Sequence, residues 1–139
     1  MIDVYAREGT FAHPHELAVE LARALMTIEG VPDIPMFRQN TAAFVHELPA
    51  DSFSNVDGES GHVRVQVLTN ASALDRDKQI EVVRQFTDLV KRHGSDGALG
   101  ERTWVLLTES PEGGWGIAGH ANTQADIVAA ARAALSPGG

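Results

Sequence analysis

The chain contains no cysteine. That removes disulfide bridges, thiol nucleophiles and thiolate metal sites together. Cations are scarce: Lys and Arg number 11 against 19 Asp and Glu, for a formal net charge of −8. Nucleic acid and anionic membranes both call for a basic face, so neither is an expected partner. No apolar run approaches the roughly 20 residues that a bilayer requires. The N-terminus lacks the basic segment and long apolar stretch of a signal peptide, so a cytoplasmic protein is expected. An apolar fraction of 43% with 22% charged residues fits a globular fold. A length of 139 residues fits one domain, or two small halves sharing a core.

What is present is a repeat. Val45-His46-Glu47-Leu48-Pro49 leads to Phe53, and Leu107-Thr108-Glu109-Ser110-Pro111 leads to Trp115. An apolar residue, Glu, Pro and an aromatic recur in the same order. Each copy closes a strand-like run that follows an earlier strand and an amphipathic helix, as a duplicated unit would.

The first unit, residues 1–57, opens with a strand at Ile2-Asp3-Val4-Tyr5. Pro14 suits the first turn of a helix, Leu17, Leu21, Leu25 and Ile28 form its apolar stripe, and Gly30 closes it. Val31 to Asn40, with Pro32 and Pro35, is expected to be irregular, and Thr41 to Leu48 to be the second strand. Residues 51–61 form the connection. In the second unit, residues 62–120, Val63, Val65 and Val67 alternate with polar residues as in a half-buried strand. Asp75 to Arg92 is expected to be helical, with Ile80, Val83, Phe86 or Thr87, and Val90 inward. Thr103 to Thr108 is the matching strand, and Gly113 to Gly119 a tight hairpin. Thr123 is a candidate N-cap for a final helix over residues 123–135.

Two β-α-β units imply an α/β (α+β) fold: a four-stranded mixed sheet with two helices on one face. Each crossover is long enough to join parallel strands with the usual right-handed connection. The second sheet face also carries apolar residues and so needs a cover. With so few helices in the chain, another subunit is the expected one.

In its motifs the chain resembles the tautomerase superfamily, in particular members that fuse two 4-oxalocrotonate-tautomerase-like units. The residues are Ile2-Asp3-Val4-Tyr5 with Glu8-Gly9, and Thr103 to Pro111 followed by Trp115-Gly116-Ile117-Ala118-Gly119. The resemblance implies a homotrimer and a small carboxylate substrate. It also implies proton transfer by an N-terminal proline, whose amine is kept neutral by a water-poor pocket. No metal and no organic cofactor are implied. Proton transfer on a 2-oxo or enol carboxylate is therefore the expected activity. Decarboxylation, dehalogenation or hydration on the same scaffold is the related alternative, and a non-catalytic trimeric relative the second class.

Aligning Glu8-Gly9 with the family's Glu-Gly places the catalytic proline one position before Met1. Either a proline precedes Met1 in the natural protein, or the primary amine of Met1 takes its place. The family's arginines are displaced as well: their positions hold Thr10 and Ala71, and about Ala42 and Trp104. Its aromatic persists as Phe53 and Trp115.

Candidate site residues are therefore Met1 as the amine, with Arg38, Arg102, Trp115 and His62 around the substrate. Arg38 lies in a Pro-flanked loop, with a solvated arginine as the competing reading. Arg102 shares a strand face with Trp104, where it could equally be a sheet-edge charge. Trp115 walls a pocket or packs in the core. His62 stands near the second unit's equivalent of the missing proline. Arg64 and His46 read more simply as a cross-strand or subunit contact and as a hydrogen-bonded strand histidine. His13, His15 and Glu16 do not converge as metal ligands across a helix start.

Overall fold

The computed structural model describes residues 1–137. In chain order the elements are β1 (Ile2–Arg7), α1 (Pro14–Glu29), α2 (Pro35–Asn40), β2 (Ala43–Leu48), β3 (Val63–Thr69), α3 (Arg76–His93), β4 (Thr103–Glu109), β5 (Trp115–Ile117), β6 (His120–Asn122) and α4 (Gln124–Leu135). The main sheet has the order β2-β1-β3-β4. β1 pairs parallel with β2, β3 parallel with β4, and the two halves meet antiparallel through β1 and β3. This is the duplicated β-α-β architecture in a four-stranded mixed sheet.

The helices form where capping and apolar spacing agree. Pro14 occupies the first turn of α1, where its missing N–H costs nothing, and Leu17, Leu21 and Leu25 are buried at successive turns. Gly30 ends the helix at φ 75°, a left-handed conformation that glycine adopts freely, and its N–H donates to the carbonyls of Met26 and Thr27. The Asp75 carboxylate accepts from the Lys78 N–H and starts α3. Both helices pack on the sheet face carrying Ile2, Val4, Ala6, Val63, Val65 and Val67, all essentially buried. Phe86 of α3 is fully buried in the same core.

Three local expectations are corrected. The segment expected to be irregular contains α2: Pro35 starts it, and the N–H groups of Phe37 and Arg38 both donate to the Ile34 carbonyl. Ile80 and Val83 do not face inward but are 50% and 39% exposed. The buried arc of α3 is Val82, Phe86, Leu89 and Val90. Ile80 and Val83 overhang β4, an edge strand with no further strand beyond it, and share a shallow apolar depression with Leu107. The hairpin also runs past Gly119, because Ala118 and Gly119 are its two turn residues, both at positive φ, and β6 follows them.

The repeated Glu-x-Pro motif is one pleat out of phase with the sheet. Glu47 lies opposite Ala6 on β1, whereas Glu109 lies opposite Thr69, further along β3. Glu109 thereby reaches past the strand end and accepts from the Ser72 N–H at 3.1 Å, holding Ser72 at φ 63°.

The second sheet face is bare in the single chain. Phe44, Trp104 and Leu106 are each about half exposed on it. Around them lie Tyr5 and His46, stacked at 4.4 Å, and the Arg64 guanidinium 5.4 Å from the Tyr5 ring centre. His46 Nε2 is 2.7 Å from the Asp3 carboxylate, which ties the histidine to the neighbouring strand.

Candidate functional site

The two halves place the start of β1 and the start of β3 at opposite ends of the sheet. At the β1 end the antiparallel ladder extends to the chain's first residue. The Met1 amine donates to the Leu68 carbonyl at 2.8 Å, and the Leu68 N–H donates back to the Met1 carbonyl at 2.8 Å. This pair fixes the amine at the sheet edge, facing a cavity of about 470 Å³.

Every layer of the fold contributes a wall to that cavity. The C-terminal turn of α1 supplies Leu25 and Glu29, α2 supplies Met36 and Phe37, and the turn after β3 supplies Asn70 and Ser72. Lys78 enters from the first turn of α3. The hairpin adds Trp115 and Ile117, and α4 adds Ile127, Val128, Ala131 and Arg132. Trp115 is aimed by the turn before it. The Gly114 N–H donates to the Pro111 carbonyl, and a side chain at Gly114 would stand 2.9 Å from the Pro111 ring. The Asn122 side-chain amide then donates to the Trp115 carbonyl across the hairpin. A capping box of Thr123 and Asp126 starts α4, and the Gln124 N–H donates to the Glu112 carboxylate, anchoring the helix to the hairpin's approach turn.

The electrostatics follow from burial. Desolvation lowers the pKa of the Met1 amine, because the charged form loses water; the carboxylates of Glu29 and Asp3 push the other way and do not win. The Glu29 carboxyl is raised for the same reason, with the amine and Lys78 opposing. Lys78 Nζ donates at 3.0 Å to the Glu29 main-chain carbonyl, one of the acceptors left open at the end of α1. An apolar-walled cavity thus holds an amine that gives up its proton early, a carboxyl that keeps its proton late, and two cations, Lys78 and Arg132.

Of the residues expected from the sequence, Met1 and Trp115 line this cavity together. The other three lie elsewhere. Arg38 turns to Asp33, donating to its carboxylate at 3.0 Å and its carbonyl at 3.1 Å, and borders a separate depression beside Arg23. Arg102 and His62 are at the opposite end of the sheet. Arg102 donates to the Gly61 carbonyl and pairs with Asp96, and it lines a polar cleft of about 130 Å³ with Arg7 and Glu8. His62 stacks on Trp104 at 4.5 Å, with its Nδ1 buried and lacking a hydrogen-bond partner. Among the described residues no group of three His, Asp or Glu side chains is placed to hold a metal ion.

Glu29, Lys78 and Arg132 also line this cavity and are not among the residues expected from the sequence. A trace of the first two is nevertheless in the sequence. An anion in the last turn of a helix and a cation in the first turn both oppose the helix macrodipole. Glu29 and Lys78 each occupy the unfavourable end, and packing α1 against α3 brings the two ends together. Local rules broken in matched pairs often mark a site.

No protein-family model matches the chain, and no curated protein matches it. Solved structures do. A wild-type fused 4-OT in a symmetric trimer is 19% identical, with 91% of this chain and 97% of that one aligned at a TM-score of 0.72. A member of the cis-3-chloroacrylic acid dehalogenase family is 18% identical, covering 98% and 92% at 0.72. A malonate semialdehyde decarboxylase is 16% identical, covering 87% and 93% at 0.66. The chain has the tautomerase-superfamily fold that these proteins share. No helix among its described residues is long and apolar enough to cross a membrane.

Proposed function

We propose that this chain is a proton-transfer enzyme acting on a small 2-oxo or enol carboxylate, with the amine at the start of β1 as its base. The observation that carries the reading is the amine itself: desolvated, fixed by Leu68, and facing an apolar-walled cavity that also holds cations. Lowering its pKa favours the neutral amine, the form that can act as a general base. Lys78 and Arg132 are the cations the cavity offers to a carboxylate and to developing enolate charge. Trp115, Phe37 and the apolar residues of α4 keep water from that charge.

The fold is shared with a member of the cis-3-chloroacrylic acid dehalogenase family and with a malonate semialdehyde decarboxylase. Their chemistry on the same cavity is the alternative to simple tautomerisation. A homotrimer is part of the proposal. Fused 4-OT structures occur as trimers, and the half-exposed Phe44, Trp104 and Leu106 are the surface that copies of the chain would cover.

The test is ketonisation of the enol of phenylpyruvate by two forms of the protein, their N-termini verified by mass spectrometry: one beginning at Met1, the other with proline placed before it. Turnover by either form, abolished when the amine is acetylated, is the expected result. Inactivity of both verified forms sinks the enzyme reading and leaves the non-catalytic relative.

A further inference from the structure

Among the described residues, Glu29 is the one acidic side chain lining the Met1 cavity. It sits at the last residue of α1, held in place by the left-handed turn at Gly30 behind it and by the Lys78 ammonium on its main-chain carbonyl. Its half-buried carboxyl interacts electrostatically with both the Met1 amine and Lys78. The charged groups that act on it are the amine from the β1 segment and Lys78 from α3, and Arg132 lines the same cavity from α4; Asp3 acts on the amine, not on Glu29. A structural role explains little here. The carboxylate makes no helix cap, opposes the macrodipole of its own helix, and pays desolvation to remain in the cavity.

We propose that Glu29 is a second proton carrier, working as the partner of the Met1 amine on a substrate bound between them. This rests on the proton-transfer reading above and adds to it the group that handles the other proton. In the ketonisation of a 2-hydroxy-2-enoate, the amine lone pair takes the hydroxyl proton, and the O–H electrons become the carbonyl π bond. The C2–C3 π pair takes a proton from the Glu29 carboxyl, forming the new C3–H bond. An ammonium and a carboxylate remain, and a proton passing from one to the other restores the starting state. Burial lowers the proton affinity of the amine and raises that of the carboxyl, so the two move towards each other. The reactive form carries a single proton on Glu29 and none on the amine, and it exists only while the pair holds one proton in total, which makes the rate bell-shaped in pH.

The experiment has two readouts on the same protein. The first needs no turnover: NMR titration of the Met1 amine in the parent and in Glu29→Gln. Removing the carboxylate withdraws the charge that favours the ammonium, so the amine is expected to titrate at lower pH in the variant. An unchanged titration overturns the pairing. The second is the pH profile for the enol of phenylpyruvate. Glu29→Gln is expected to lose about 100-fold or more in kcat, within the usual range for a general acid or base, and one limb of the bell. Glu29→Asp, which keeps an acid, is expected to retain both limbs at reduced rate. A Gln variant with parental rate and both limbs overturns the proposal while leaving the amine mechanism standing. A parent with coupled titration but no turnover instead overturns the enzyme reading, and the donor role with it.

Discussion

The two ends of the sheet are related by the internal repeat, yet they differ in nearly every chemical respect. At one end β1 begins with an amine over a cavity of about 470 Å³ with apolar walls. At the other β3 begins with His62 beside a cleft of about 130 Å³, whose Arg102 is spent on Gly61 and Asp96. The helix ends show the same contrast. Where α1 ends and α3 begins, Glu29 and Lys78 sit against the macrodipole; where α3 ends, Lys91, Arg92 and His93 sit with it, and His93 and Arg92 reach Glu20 on α1. Duplication supplied two equivalent strand starts. What separates them is the C-terminal segment, the β5–β6 hairpin that closes the second unit and α4 beyond it, which line the cavity at the Met1 end.

The sharpest way to break this comparison is to disable the two strand starts in turn. Blocking the amine at Met1 by acetylation is expected to reduce enol turnover by two to four orders of magnitude, roughly the span attributed to a single acid–base group. His62→Ala, at the equivalent position, is expected to change it by less than about threefold; steady-state kinetics on both forms decide it. Equal losses would mean that the second end also works. Next in size is Lys78→Met, which removes a cation from the open end. A hydrogen bond to a charged group contributes about 1.5–3 kcal/mol, so KM is expected to rise about 10- to 100-fold. A lower kcat at unchanged KM would assign Lys78 to the transition state rather than to holding the substrate.

The fold was more legible than the site. The alternation of Val63, Val65 and Val67 and the stripe of Leu17, Leu21 and Leu25 report directly on burial, because a sheet face and a helix face impose their own periods on the sequence. Ile80 and Val83 satisfied the same helical period and are nonetheless exposed, since period alone does not say whether a strand lies beyond β4. Site geometry depends on which ends meet in space. Met1 and Trp115 are candidates through the resemblance, and both line the cavity. Arg38 is a candidate from its place before the second strand, with a solvated loop arginine as the equal alternative, and its guanidinium pairs with Asp33, five residues before it. Lys78 and Arg132 come from helices that reach the cavity only once the second unit and the C-terminal extension have folded onto the first.

The bare sheet face offers a smaller perturbation that is indifferent to which end is active. Trp104→Asp puts a charge among half-exposed apolar groups that a second copy would bury, where an unpaired charge is costly. Sedimentation is expected to show loss of the trimer in favour of monomer. A trimer of parental stability would mean that some other surface joins the subunits.

The smallest expected effect concerns stability, and it tests why Glu29 is there at all. Its carboxyl has a raised pKa in the folded chain, so the folded state holds the proton more tightly than the unfolded one does. That favourable contribution is fully present below the unfolded carboxyl value and is lost as pH rises through the folded one. Above that window the folded chain carries a desolvated carboxylate that the unfolded chain would hydrate. Glu29→Gln keeps the shape and cannot ionise. It is therefore expected to melt a few degrees higher than the parent at neutral pH, with the advantage shrinking towards zero as the pH falls through the carboxyl range; scanning calorimetry at several pH values reads the difference directly. At the other end of the molecule the sign reverses. Glu20 accepts from His93, its pKa is lowered, and Glu20→Gln is expected to destabilise at neutral pH, but only slightly because the pair is exposed to water. A carboxylate that costs stability at one end and adds a little at the other separates a residue kept for chemistry from one kept for packing, and a Gln variant at position 29 that is both slower and more stable is the outcome which that separation requires.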